Sequence, residues 1–165
     1  MKQSATCDTS FWINAHRSGL LALVLRRYRL YFAPAVAMEM NAAFPSGREF
    51  WRQARAGLIA EKMPRSRVVT QFGPGERSAM NLAIDNPGWV LKMDDRRPLL
   101  EAQRLGLQVV CTPVLALHLY RDRELDLQGA LGVLARLAAM QTVSPELLSV
   151  ALAELPLARG QKGEH

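Results

Sequence analysis

The chain has 165 residues, 49% of them hydrophobic, and a formal net charge of +6, which suits one globular domain with a sizeable core. No run approaches the ~20 apolar residues of a bilayer span, because Leu20 to Leu25 is cut off by Arg26 and Arg27, and the first residues lack a secretory pattern. Cys7 and Cys111 are too few and too far apart for a disulfide framework, so the expectation is a cytoplasmic protein with two buried free thiols.

Charge is uneven along the chain. Residues 1–77 hold 12 Lys and Arg against 5 Asp and Glu, a net of +7, whereas residues 78–165 hold 9 against 10, a net of −1. Arginine dominates, 17 to 4 over lysine, and its planar fork suits bidentate phosphate contacts. An arginine-rich solvated surface accounts for the same counts.

Ser4 to Cys7 reads as a first strand that ends at Asp8, with Thr9 or Ser10 expected to cap the helix that follows. Leu20 to Leu25 is a short apolar helix with Arg26, Arg27 and Arg29 near its end, where cations complement the dipole. Arg29 to Ala33 is a second strand. Pro34 then opens a helix whose Val36, Met40 and Ala43 share one face while Glu39 points elsewhere.

Phe44-Pro45-Ser46-Gly47 breaks the chain, and Arg48 to Met63 is expected as an amphipathic helix. Its Arg48, Arg52 and Arg55 form a basic stripe, with Phe50, Trp51, Leu58 and Ile59 available for packing. Val68-Val69 is a minor strand or an extended connection. A turn at Gly73-Pro74-Gly75 launches a helix with Glu76 in its first turn and Ala79, Met80, Ala83 and Ile84 inward.

Asn86-Pro87-Gly88 is a turn, after which Trp89 to Met93 forms a strand that delivers Asp94 and Asp95 where it stops. A helix from Arg96 to Leu105 follows. Leu107 to Cys111 is the next strand, and Thr112-Pro113 caps and starts a helix to Arg121. Beyond Leu125 the pattern is helical: Leu127, Leu131, Leu134, Leu137 and Met140 lie near a 3.6 period. Ser144-Pro145-Glu146 opens a last helix to Leu155, before a polar tail from Pro156 to His165 expected to fray.

Short strands alternating with helices imply an α/β fold, a compact parallel sheet with helices on both sides. Its carboxyl edge, where ligands usually sit, would gather Asp8, Asp94 and Asp95, with Glu39 and Glu76 in reach. Phosphodiester hydrolysis needs a hard cation, and carboxylate oxygens are the ligands such a cation accepts. Carboxylates brought together without one repel, so at least one raised pKa is expected. His16 and His118 lack a partnered nucleophile and fit surface or core positions.

Taken in order, Asp8-Thr9-Ser10, Pro34-Ala35-Val36-Ala37-Met38-Glu39-Met40, Gly75-Glu76-Arg77-Ser78-Ala79-Met80-Asn81-Leu82-Ala83, Asp94-Asp95-Arg96 and Gly106-Leu107-Gln108-Val109-Val110-Cys111-Thr112 resemble the PIN-domain ribonucleases over residues 4–125. The nearest pattern is the toxin-like branch with a Gly-Glu helix start and an Asp-Asp pair. Pro98, early in its helix, departs from that pattern.

The resemblance implies a PIN-like nuclease domain over residues 1–125, while the apolar stripes of residues 126–155, which the resemblance explains least, predict a helical extension that packs on the same domain or forms a homodimer surface. It implies a metal-dependent endoribonuclease using Mg²⁺ or Mn²⁺, with Asp8, Glu39, Glu76 and Asp95 as catalytic carboxylates. The metal would be held among Asp8, Glu76, Asp94 and Asp95, and which of the two adjacent aspartates is the main ligand stays open. Thr9, Ser10, Asn14 and Thr112 can orient carboxylates or water, although Ser10 and Thr112 also read as helix caps.

Arg48, Arg52, Arg55, Arg65 and Arg67 can track an RNA backbone, and Phe50 and Trp51 can stack on bases or pack in the core. Partners implied by the resemblance are RNA and a small antitoxin protein, and the C-terminal apolar stripes add a second copy of the chain. Two other readings stand beside this one: a PIN-fold RNA-binding or regulatory protein with weak or no catalysis, and a different metal-dependent phosphoryl enzyme. A haloacid-dehalogenase phosphatase needs an aspartate two residues after the first, where this chain has Ser10.

Overall fold

In the computed structural model, which describes residues 1–156, five parallel strands form one sheet. They are β1 (Gln3–Cys7), β2 (Tyr28–Phe32), β3 (Ile59–Glu61), β4 (Val90–Lys92) and β5 (Val109–Val110), in the order β3-β2-β1-β4-β5. The helices are α1 (Thr9–Arg17), α2 (Leu21–Arg27), α3 (Pro34–Glu39), α4 (Pro45–Arg55), α5 (Pro74–Asp85), α6 (Arg96–Arg104), α7 (Thr112–Arg121), α8 (Leu127–Met140) and α9 (Pro145–Glu154). This is the α/β architecture expected. The tail from 157 to 165 lies outside the described residues.

A strand covered on both faces cannot alternate apolar and polar residues. The two central strands show this: Ala5, Thr6 and Cys7 of β1 and Val90, Leu91 and Lys92 of β4 are all buried. Their pairing aligns Cys7 with Lys92, so the chain leaves both strands at one height. Strand order reverses between β1 and β4, because β1 is followed in sequence by β2 on one side and neighbours β4 on the other. That crevice is the usual ligand position in an open parallel sheet.

The core forms on both faces of the sheet. One cluster joins Trp12, Leu30, Phe50, Leu115, Ala130, Leu134, Leu137 and Ala151, so α8 and α9 pack into the same hydrophobic body as α1, β2, α4 and α7. The other joins Ala79, Met80, Leu91, Met93, Leu99 and Ala102 beneath α5 and α6. Of the leucine series in α8, Leu134 and Leu137 are buried, while Leu127 and Leu131 remain 41% and 37% exposed.

Residues 48–63 depart most from the sequence expectation. Pro45 occupies the first helical turn, its missing N–H costing nothing there, so α4 begins earlier than expected and ends at Arg55. Gly57 then adopts φ +70°, which reverses the chain, and Ile59 pairs with Leu30 as an edge strand. Three residues are too few to display strand periodicity against a helical background. Leu58 is left exposed, as is Ala43, which does not join the buried face of α3.

Phe50 packs edge-to-face on Trp12, Phe32 and Trp51, with centroids 5.2, 4.7 and 5.3 Å away. It is therefore core and is not available to a base. Half-buried Trp51 donates its Nε1–H to the Met40 carbonyl at 3.0 Å. The predicted strands 89–93 and 107–111 shorten to Val90–Lys92 and Val109–Val110. Pro98 is tolerated in the first turn of α6, where its N–H has no helical partner to lose.

Val68-Val69 is an extended connection. Buried Val69 donates its N–H to Asn81 Oδ1 and accepts from Asn81 Nδ2, both at 2.9 Å. This clamp ties the approach to α5, and hence Glu76, to the helix itself. Asn81→Ala leaves a buried N–H and C=O unpaired and is expected to cost roughly 1–3 kcal/mol. Chemical denaturation measures the loss, and unchanged stability together with unchanged protection of the Val69 amide from exchange would contradict the clamp.

Candidate active site at the carboxyl edge of the sheet

Asp8 follows β1 directly and is 1% exposed. It, and not Thr9 or Ser10, is the N-cap of α1: its Oδ1 accepts the Phe11 N–H at 2.8 Å. A carboxylate one residue nearer the strand reaches the first helical turn as well as a hydroxyl does. Its Oδ2 is buried and accepts from no protein group.

Asp94 emerges from the neighbouring strand and is also 1% exposed. Its Oδ1 accepts the Thr112 N–H at 2.6 Å, and its Oδ2 accepts the Asn14 amide at 2.7 Å and the Thr112 hydroxyl. Thr112 is thus the first helical residue of α7, and its hydroxyl serves Asp94 instead of capping. Asn14 in turn accepts from the Thr142 hydroxyl at 2.7 Å. Thr142 was not singled out in the sequence, and 128 positions separate it from Asn14.

Asp95 has a different environment. Extended backbone turns successive side chains to opposite sides, so Asp94 goes inward and Asp95 is exposed, capping α6 through an Arg97 N–H at 3.1 Å. Glu76 closes the other side, accepting the Gly73 N–H at 2.9 Å, and the charge of Asp95 acts on its carboxylate.

Glu39, at the end of α3, accepts the Gly75 N–H at 2.9 Å and the Thr9 hydroxyl. A Cβ at position 75 would lie 2.5 Å from the Glu39 carboxylate, so glycine there permits the close approach. The five acidic residues therefore share one edge. Ser10 lines a cleft of about 310 Å³ beside them, with Asp94, Asp95, Arg96, Gln141, Thr142 and Ser144. A larger cleft of about 630 Å³ opens on the Glu39 side, between Ile13, His16, Arg17, Met40 and Phe44.

Burial without full pairing decides the electrostatics. Asp8 is held well above the usual carboxylate range, chiefly by desolvation, then by the charges of Asp94, Glu76 and Asp95, against one opposing Phe11 hydrogen bond. Asp94 is raised by burial, with the Thr112 and Asn14 bonds and the Lys92 charge opposing. Glu76 is raised by burial and by Asp95 and Glu39. The expected raised pKa is thus met at three carboxyls.

Below them, fully buried Lys92 lies 3.7 Å from the centre of the Tyr28 ring, and its amine is pushed down to about 7 by burial. Nothing in the apolar run around it marked Lys92 in the sequence. The proposed RNA-tracking arginines divide into paired and exposed ones. Arg52 is engaged by Glu49 through bonds of 2.8 and 2.7 Å, and Arg48 donates to the Ala43 carbonyl. Arg55, Arg65 and Arg67 are exposed.

A family model described as a PIN domain matches residues 4–155. No curated protein matches the chain. PIN domains typically use divalent metals, and the oxygen-only donor set here suits a hard cation. The buried, unpartnered Asp8 Oδ2 is an acceptor that such a cation would satisfy. Among the described residues, no three His, Cys, Asp or Glu side chains stand close enough together to hold an ion as they are.

A carboxyl whose folded pKa is raised binds its proton more tightly in the folded chain than in the unfolded one. Its contribution is favourable at low pH and is lost as pH climbs from the ordinary range near 4 toward the raised value. Without metal, thermal stability is therefore expected to fall over that window, and Asp8→Asn is expected to flatten the fall and be at least as stable as the parent at pH 7. A thermal melt series against pH checks this; an Asn variant destabilised at pH 7 is the opposite result.

Proposed function

The chain belongs to the PIN-domain family, whose members are generally nucleases, and from that premise we propose that it is a metal-dependent endoribonuclease. The observation that carries the proposal is Asp8: a fully buried carboxylate at the strand-order reversal, with one oxygen unpartnered and three further carboxylates acting on it. A structural N-cap needs one oxygen at a surface helix end and gains nothing from such company.

In this reading Asp8, Glu76 and Asp95 hold the cation. Asp94, secured by three donors, adds charge and shape behind them. When bound, Mg²⁺ or Mn²⁺ supplies charge neutralisation at the phosphate and activates a water. The chain's own part is to preorganise the edge. Thr112 and Asn14 fix Asp94, the Gly73 and Gly75 amides orient Glu76 and Glu39, and Arg96 beside the polar cleft offers a guanidinium to a phosphate.

RNA is the proposed substrate, its backbone steered by the basic first half of the chain, where Arg55, Arg65 and Arg67 are exposed. The resemblance to toxin-like members extends the proposal to a toxin–antitoxin setting, with a small partner protein covering the acidic edge.

Purified protein incubated with single-stranded RNA and Mg²⁺ or Mn²⁺ is expected to cleave internally, to stop on addition of EDTA, and to lose about 100-fold or more in rate in Asp8→Asn. Cleavage that survives either EDTA or the substitution would sink the carboxylate–metal mechanism. Salt-sensitive binding without cleavage would point instead to an RNA-binding protein of the same fold.

A further inference from the structure

The loop between the last two helices is hydrogen-bonded to the support of the acidic edge. Resting on the nuclease reading above, we propose that Thr142, in the loop between α8 and α9, is a positioning residue that sets the orientation of Asp94 through Asn14.

The loop is held at both ends and in its middle. Gln141 ends α8 in a left-handed conformation at φ 55°, and Ser144 caps α9 by accepting the Leu147 N–H. Between them Val143 is 4% exposed and belongs to the main core cluster. With Val143 anchored inward, Thr142 is delivered to Asn14, donating its hydroxyl to the amide oxygen at 2.7 Å.

An asparagine amide has a donor end and an acceptor end, and nothing in its shape favours one orientation over the other. Asn14 is buried, and its two ends face Thr142 on one side and Asp94 Oδ2 on the other. A hydroxyl donating to Asn14 Oδ1 places the NH₂ against Asp94. The reversed amide would set a carbonyl oxygen against a carboxylate oxygen in a buried site, where such contacts are costly. The carboxylate, which only accepts, therefore selects the amide orientation, and Thr142 holds that amide in place by giving its buried Oδ1 a donor. Without the Thr142 hydroxyl, buried Asn14 Oδ1 loses its donor, and the amide that supplies Asp94 Oδ2 is held less firmly.

Thr142, Gln141 and Ser144 also wall the polar cleft that contains Asp94 and Asp95. The C-terminal helices thus do more than cover apolar surface: they complete the support of an aspartate that leaves the sheet some fifty residues earlier in the chain. Thr112 fixes Asp94 from one helix, and Thr142 fixes it from the other side through α1.

The test uses the full chain with Thr142→Val, which keeps the shape and removes the hydroxyl, and Thr142→Ser, which keeps the hydroxyl. The readouts are the Asn14 side-chain NH₂ resonances and their exchange with water by NMR, Mn²⁺ affinity by calorimetry, and kcat and KM for RNA cleavage. Thr142→Val is expected to shift the Asn14 amide pair and speed its exchange, to weaken Mn²⁺ binding by about tenfold or more, and to lower kcat more than it raises KM. Thr142→Ser is expected to restore all three.

Unchanged Asn14 resonances in Thr142→Val overturn the proposal, as do altered resonances with Mn²⁺ affinity and kcat both intact. Failure of the nuclease reading looks different: the unsubstituted protein then neither binds Mn²⁺ nor cleaves RNA. In that case the Asn14 resonances alone decide whether Thr142 holds the amide in place.

Discussion

Asp8 and Asp94 follow the ends of adjacent parallel strands, one residue apart in register, and are both buried, so each must give up its hydration inside a sheet that offers few donors. Removing a carboxylate from water costs several kcal/mol even after the protein relaxes, while a hydrogen bond to a charged group returns about 1.5–3 kcal/mol. Asp94 receives three such bonds, which oppose that cost without cancelling it, since burial still holds its carboxyl above the usual range. Asp8 receives one from Phe11 and leaves Oδ2 with none. The imbalance between these two neighbours is the constraint around which the rest of the edge is arranged.

Much of the surrounding structure answers to it. Thr112 gives up a capping role so that both its N–H and its hydroxyl can face Asp94. Asn14, on the inner face of α1, turns its amide to the same carboxylate. Gly75 has no side chain because the Glu39 carboxylate occupies the space a Cβ would take. The core below carries a buried lysine whose charge favours ionised Asp94. Each of these choices stabilises a carboxylate in place, whereas an ordinary core would replace the carboxylates with apolar side chains. A site kept at such expense in desolvation fits a task that needs concentrated negative charge.

The sequence made most of this legible at the level of elements, and less so at the level of contacts. Strand ends at Asp8 and Asp94, helix starts at Pro34, Pro74 and Ser144, and the carboxyl-edge gathering follow from apolar runs and local turn chemistry. Residues 59–61 were hidden because a three-residue edge strand is too short to interrupt a helical pattern. The cap of α1 was misplaced by one position, since Asp8 can both end a strand and cap a helix. Asp94 and Asp95 could not be told apart before the extended backbone between them showed which points inward. Thr142 carried no local signal: its meaning comes from a partner 128 positions away. The same holds for Lys92, which a strand pattern reads simply as an interruption.

The central claim is that the unpartnered oxygen of Asp8 is the anchor of a divalent-cation site shared with Glu76 and Asp95. Crystals soaked in Mn²⁺ and measured at the manganese absorption edge test it most directly. The account predicts an anomalous peak within coordination distance of Asp8 Oδ2, with the Glu76 and Asp95 carboxylates drawn onto the same ion. No peak at saturating Mn²⁺, or a peak bound elsewhere with Asp8 Oδ2 still unpartnered, would contradict it.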